Sequence, residues 1–153
     1  MKIGIADTTF ARVNMADFAM EIIKTLSKHK IERYTVPGIK DLPVACKILF
    51  KKYKCDIIMA MGMAGPKPID KQCSHEATLG LQEVQLFENK HILEVFVHMD
   101  EAKNDKEIYK IAKNRTEKHA LNAIALLKSK TNLTKNAGKG IRQGKKDEGP
   151  IKI

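Results

Sequence analysis

A short apolar run, followed by a stretch rich in glycine and proline, constrains the fold of this chain more than any other feature. Residues 57–61 read Ile-Ile-Met-Ala-Met, and residues 62–68 carry two glycines and two prolines. An apolar run this short, between turn residues, predicts a strand that is buried on both faces. The glycines and prolines predict a loop after it, with a helix resuming by about Cys73. In open α/β sheets, a loop at the carboxyl end of a buried strand is where ligands bind.

Four predicted strands alternate with four amphipathic helices along the chain. Asn14 is a candidate cap for the first helix, with Asp17 three residues on. The predicted strands cover residues 2–6, 31–36, 57–61 and 92–97, and the helices run from about residues 14, 41, 73 and 106. This alternation predicts an α/β fold, a flavodoxin-like three-layer αβα sandwich with a four-stranded parallel sheet. We expect a single domain over residues 1–130 and a basic, glycine-rich, loosely attached tail over residues 131–153.

The charge and composition limit the classes of partner. The formal net charge of +10 is compatible with polyanion binding, but a solvated lysine-rich surface is the simpler interpretation. Aromatic residues make up only 5% of the chain, so stacking surfaces for nucleic acid are scarce, and we expect neither a nucleic acid nor a membrane as partner. The three cysteines are widely spaced and predict free thiols. With no signal-peptide pattern at the first strand, we expect a cytoplasmic protein.

The four strand exits offer a mixture of ligand-binding groups. They lie at residues 7–10, 37–41, 61–63 and 98–100, and they supply hydroxyls, a carboxylate, apolar surface and backbone amides. Such a mixture suits a small ligand with a flat ring and a polyol arm. The spacing of these residues does not identify the ligand.

Two segments resemble the lumazine synthases. Residues 36–43, Val-Pro-Gly-Ile-Lys-Asp-Leu-Pro, resemble the VPG-x-x-E-L-P segment of that family, and residues 62–81 resemble its loop and following helix. The resemblance extends to about Leu127. Three departures stand out: Ile69 occupies the position of the general-acid histidine, Lys40 replaces an aromatic residue, and residues 114–119 replace a glycine-rich turn. Together with residues 7–12, these departures resemble the archaeal-type riboflavin synthases, which share the lumazine synthase fold.

The resemblance implies a reaction. Two molecules of 6,7-dimethyl-8-ribityllumazine would dismutate by transfer of a four-carbon unit, giving riboflavin and 5-amino-6-ribitylamino-2,4(1H,3H)-pyrimidinedione. It also implies that no organic cofactor is needed, and that the enzyme is a homopentamer with sites between neighbouring subunits.

The resemblance further implies roles for individual residues. Asp41 matches the acid that binds the ribityl chain, although a helix-capping role is equally compatible with its position. As catalytic groups we consider His98, Lys67 and Lys40, for which the alternatives are a polar surface histidine and solvated lysines. The other predicted substrate contacts, for several of which core packing is the alternative, are Thr8, Thr9, Phe10, Pro37, Gly38, Ile39, Met61, Gly62, Met63, Pro68 and Ile69. From the neighbouring subunit we expect Val95, Phe96, Lys118 and His119, together with His98.

Two other functions remain open from the sequence. One is lumazine synthase itself, against which Ile69 argues, and the other is a non-enzymatic basic module that binds nucleotides or RNA. Residues 73–76, Cys-Ser-His-Glu, offer ligand-type side chains on one helical turn, but without a second pair they do not predict a metal site, and we expect none.

Overall fold

The computed structural model describes residues 1–153 and shows four parallel strands alternating with four α-helices. The elements are β1 (Lys2–Thr8), α1 (Met15–Leu26), β2 (Lys30–Val36), α2 (Leu42–Lys51), β3 (Ile57–Ala64), α3 (Pro68–Glu88), β4 (Ile92–His98) and α4 (Asp105–Lys128). The strand order is β2-β1-β3-β4, and every pairing is parallel. The predicted α/β sandwich with a four-stranded parallel sheet is therefore confirmed.

The sheet separates two hydrophobic cores. Alternate residues of β3 point to opposite faces, so that Met59 and Met61 join α1 and α4 on one side, while Ile58 and Ala60 join α2 and α3 on the other. All eight residues of β3 are buried. A strand covered on both faces by helices must be apolar throughout, which is why its sequence reads as a continuous apolar run.

The first and third strands continue two or three residues further than the sequence predicts. Asp7 and Thr8 belong to β1, because they pair with Thr35 and Val36 of β2. The predicted exit loop at residues 7–10 is therefore wrong at its first two positions.

The predicted loop at Gly62 and Met63 is also wrong, because both residues pair with β4. Glycine usually weakens a strand. Here the pairing of Gly62 with β4 and the burial of β3 on both faces outweigh that effect.

Helix α3 begins at Pro68, five residues before the predicted start near Cys73. Proline is well suited to the first turn of a helix, and the backbone N–H of Lys67 donates to Oδ2 of Asp70 at 3.0 Å. Asn14 precedes α1 as predicted, but its side chain donates to Asp17 at 2.7 Å and does not cap the helix.

After α4 the chain contains only one short 3₁₀ turn, Thr134–Asn136. Hydrogen bonds nevertheless attach residues 142–147 to α4. Arg115 donates to the carbonyl of Gln143 at 3.3 Å, and Lys118 donates to the carbonyl of Arg142 at 2.7 Å. The sequence suggests a looser attachment, because these contacts join polar groups that show no hydrophobic periodicity. No helix in the structure has the length and apolar character needed to span a bilayer.

Candidate active site

A cavity of about 270 Å³ opens at the carboxyl edge of the sheet. It is lined by residues from the β1, β2 and β3 exits and from the start of α3: Phe10, Gly38, Ile39, Lys40, Asp41, Met63, Ala64, Gly65, Asp70 and Cys73. Four larger depressions, of about 320 to 480 Å³, lie at the end of α3, between β2 and α2, and along α4, away from the strand exits. The cavity at the strand ends combines apolar and polar groups, which is typical of a small-molecule site.

Ile39 and Phe10 form the apolar side of the cavity. Phe10 is 67% exposed, an unusual degree for a large aromatic side chain, and Ile39 is half-buried against the core below it. Gly62 makes this arrangement possible, since a Cβ at this position would lie 2.5 Å from Cγ2 of Ile39. The ring of Phe96 packs against the same glycine, at 3.3 Å from that Cβ position. Phe96 therefore supports the cavity of its own protomer from below.

Two carboxylates line the cavity, and each caps a helical turn. Oδ2 of Asp41 accepts the backbone N–H of Gly38 at 3.2 Å, and Oδ2 of Asp70 accepts that of Lys67 at 3.0 Å. These bonds fix both side chains, while the Oδ1 atoms have no partner within the chain. The two interpretations of Asp41, helix cap and ligand contact, are thus compatible, because different oxygens serve them.

Lys40 lines the cavity, but its ammonium group is paired. Its Nζ donates to Oε2 of Glu76 on α3 at 2.5 Å. This hydrogen bond raises the pKa of Lys40 and, with a second bond from Gln72, lowers the pKa of Glu76. By contrast, the exposed side chain of Lys67 makes no ion pair within the chain. Only the backbone N–H of Lys67 contacts Asp70.

His98 ends β4 beside the cavity. It pairs with the cavity residue Ala64 across the two strands, and its side chain is 30% exposed. Nδ1 of His98 lies 3.8 Å from Oε1 of Glu101, and its backbone N–H donates to the same oxygen at 2.9 Å. Nε2 has no partner within the chain and is available to a ligand.

Met61 and Val95 lie in the core between the sheet and α4, where both are fully buried. Strand alternation directs their side chains away from the face that bears Ile39, so these side chains do not line the cavity.

Lys118 and His119, on α4, do not line the cavity of their own protomer either. Lys118 donates to Asp147 at 2.9 Å, as well as to the carbonyl of Arg142. Burial, together with the charge of Arg115, lowers the pKa of His119 to about 4.

The remaining predicted contacts surround the cavity mouth or lie beneath it. Thr8 is buried, with an Oγ1 that has no partner, and the hydroxyl of Thr9 donates to the carbonyl of Pro37 at 3.3 Å. Pro68 and Ile69 are exposed in the first turn of α3, and Ile69 is 58% exposed.

Four cavity residues were not predicted from the sequence: Ala64, Gly65, Asp70 and Cys73. Asp70 follows Pro68 by two positions, and this proline–acid spacing is typical of a helical first turn. It could have placed the helix start, and therefore Asp70, at the strand edge. Cys73 is a free thiol, and the structure contains no group of three or more histidine, cysteine or acidic side chains that could hold a metal.

The family model described as 6,7-dimethyl-8-ribityllumazine synthase matches residues 1–131. Archaeal proteins named riboflavin synthase are similar over nearly their whole length. The relative from Methanothermobacter thermautotrophicus is 51% identical over 99% of both chains. That from Archaeoglobus fulgidus is 46% identical over 99% of both chains. That from Aeropyrum pernix is 43% identical over 98% of this chain and 97% of its own.

Proposed function

The chain belongs to the 6,7-dimethyl-8-ribityllumazine synthase family, and we propose that within this family it is a riboflavin synthase, like its archaeal relatives. The proposed reaction is dismutation of two molecules of 6,7-dimethyl-8-ribityllumazine by transfer of a four-carbon unit. Its products are riboflavin and 5-amino-6-ribitylamino-2,4(1H,3H)-pyrimidinedione.

The observation that carries this proposal is the composition of the cavity wall. Ile39 and Phe10 offer apolar surface for a flat ring, while the free oxygens of Asp41 and Asp70 are acceptors for hydroxyl groups. A bicyclic heterocycle with a ribityl chain presents both kinds of surface. The cavity contains no preformed nucleophile–base pair, which suits a reaction whose substrate already carries acidic methyl protons.

Catalysis in this proposal depends mainly on holding two rings against each other. Well-oriented reaction partners gain as much as about 7–11 kcal/mol relative to free collision. His98 would move the methyl proton through Nε2, and Lys67 would stabilise the anion that forms. Lys40 would contribute its positive charge at the cavity wall while it remains bonded to Glu76.

The size of the cavity supports an assembly of several copies. Pockets that enclose one drug-sized ligand usually measure about 300–1,000 Å³. The cavity, at about 270 Å³, lies below this range, which is compatible with a site that is completed by walls from another copy of the chain. We propose the homopentamer that the resemblance implies, with Lys118 and His119 contributed across the interface. Sedimentation velocity tests this assembly, and a monomer at assay concentration would contradict it.

The proposed reaction is tested by incubating the pure protein with 6,7-dimethyl-8-ribityllumazine alone. We expect the fluorescence of riboflavin to appear, and one pyrimidinedione to be released for each riboflavin formed. Activity only when the four-carbon phosphate and the pyrimidinedione are supplied would instead identify a lumazine synthase. The exposed Ile69 argues against that outcome, because an aliphatic side chain transfers no proton.

The alternative of a non-enzymatic basic module that binds nucleotides or RNA has its own test. Salt-dependent retention on RNA, without any shift in melting temperature when the lumazine is added, would support it.

The cytoplasmic location expected from the sequence stays a prediction.

A further inference from the structure

Arg115 and Glu101 form an ion pair that the proposed reaction does not yet use. The guanidinium donates to both carboxylate oxygens, with Nη1 to Oε1 and Nη2 to Oε2 each at 2.7 Å. The side chains are only 12% and 16% exposed. A two-point contact of this kind fixes the plane of the carboxylate as well as its position.

The pair is anchored on several sides. Nη1 of Arg115 also donates to the carbonyl of Phe96 at 2.7 Å, and Nε donates to the carbonyl of Gln143 at 3.3 Å. One side chain of α4 therefore ties together the end of β4, the turn after it and the C-terminal segment. Four hydrogen bonds to three separate segments therefore hold the guanidinium in one position.

Glu101, held in place by Arg115, lies next to His98. Its Oε1 accepts the backbone N–H of His98 and lies 3.8 Å from Nδ1 of the same residue. A carboxylate beside one ring nitrogen favours a proton there and leaves Nε2 as the unprotonated nitrogen. In the register of the sheet, His98 lies next to Ala64 of the cavity wall.

We propose that Arg115 and Glu101 are positioning residues, which together fix the orientation and tautomer of His98 for proton transfer to and from the bound heterocycle. This inference rests on the proposed function. Neither residue contacts the cavity, so both act through His98.

Other charged groups also face His98. Glu94 lies on β4 and Asp100 in the following turn, where Asp100 is paired with Lys71 of α3 at 2.5 Å. Burial acts to raise the pKa of Glu101, but the hydrogen bonds from Arg115 and from the backbone of His98 outweigh it and hold this pKa below its usual value. Glu101 therefore stays ionised at neutral pH.

The central experiment is a double-mutant cycle between Glu101→Gln and His98→Asn. Glutamine keeps an acceptor for the backbone N–H but removes the charge. We expect Glu101→Gln alone to lower kcat about ten- to hundredfold with little change in KM, and to have almost no effect in the His98→Asn background. Equal losses in both backgrounds would show a structural role only, and would overturn the proposal.

The ¹⁵N NMR shifts of the His98 ring give a second readout, which a structural role would not change. Removing the carboxylate removes the preference for a proton at Nδ1, so the shifts of the two ring nitrogens should change in Glu101→Gln. Arg115→Lys keeps the charge but loses the two-point contact, so kcat should fall with little change in KM. Glu117→Gln, the same change at a more exposed position of α4, is the matched control and should match wild type.

¹⁵N NMR of His98 in the ligand-free protein separates this inference from the proposed function. If the wild type makes no riboflavin, the proposed function fails, but the ring spectrum still reports on positioning. A proton held mainly on Nδ1 in wild type and redistributed between the ring nitrogens in Glu101→Gln supports the inference. Identical ring spectra overturn it, as would unchanged kcat in an active enzyme.

Discussion

Gly62 of β3 lies directly beneath Ile39, so close that a Cβ on the glycine would be 2.5 Å from Cγ2 of the isoleucine. The sheet and the apolar wall of the cavity meet at this point. The missing side chain lets the turn after β2 rest on the strand, with the ring of Phe96 beside it. The absence of one methyl group therefore helps to determine the depth of the cavity.

Gly62→Ala should displace Ile39 into the cavity. We expect KM for the lumazine to rise about tenfold, and the free energy of unfolding to fall by about 1–3 kcal/mol, as for other overpacked cores. The measurements are steady-state kinetics and chemical denaturation.

The matched control for Gly62→Ala is the double variant with Ile39→Ala. It removes the clashing Cγ2, and should therefore recover stability relative to the sum of the two single changes. Simple additivity would show that the alanine does not act through Ile39.

Asp41→Asn should separate the capping role of this residue from ligand binding. Asparagine still offers an oxygen to the N–H of Gly38, so the melting temperature should change little. A neutral amide is a weaker acceptor for ribityl hydroxyls, and we expect KM to rise about tenfold. Asp41→Ala should lose both functions. An unchanged KM in Asp41→Asn would leave Asp41 as a helix cap only.

The pair of Lys40 and Glu76 tests whether charge at the cavity wall assists the reaction. Lys40→Gln should lower kcat about tenfold without changing the melting temperature, because both side chains of the pair are exposed. Glu76→Gln is the matched control, since it removes the partner but retains the cation, and we expect it to remain active. Equal kinetic losses in both variants would indicate that only the salt bridge itself matters.

His119 should make the stability of the protein depend on pH. Its pKa is about 4 in the folded protein, chiefly because of burial, whereas an unfolded histidine titrates near its ordinary value of 6.5. Between these values the unfolded chain binds more protons, so the free energy of unfolding should fall as the pH drops from about 6.5 to about 4. Above 6.5 both states are neutral and the contribution is complete.

The size of this effect should be about 2 kcal/mol, since the side chain keeps some contact with solvent. His119→Gln should flatten the stability curve in this range when unfolding is measured with urea at several pH values. A variant with the wild-type slope would contradict the assignment, and would point to another titrating group.

The strands and helices are predictable because they follow from local pattern. The apolar run at residues 57–61 and the periodic helices predict the alternation of elements, and right-handed connections then leave a parallel sheet. The positions at which the strands end depend on contacts with other parts of the chain. Gly62 and Met63 read as a loop but are held in β3 by pairing with β4, and this pairing is visible only when the neighbouring strand is in place.

The candidate site, likewise, is predictable from the sequence only in part. Sequence order alone brings Asp41, Ile39 and Phe10 to one edge, because parallel strands deliver all their exits there. The Arg115–Glu101 pair could not be predicted, since its partners are 14 positions apart and depend on side-chain directions in the folded chain. Asp70 follows instead from a local signal, the proline two positions before it, because its partner Lys67 is only 3 positions away.

By itself, the sequence determined the order and type of the elements, the edge of the sheet at which the candidate cavity opens, and the family. Periodicity, strand exits and short motifs are properties of the chain read in order, so they need no coordinates. Only the tertiary structure decided which faces Met61 and Val95 take, which oxygens of Asp41 and Asp70 stay free, and which carboxylate lies beside His98. Those depend on distances between atoms that folding brings together from separate elements.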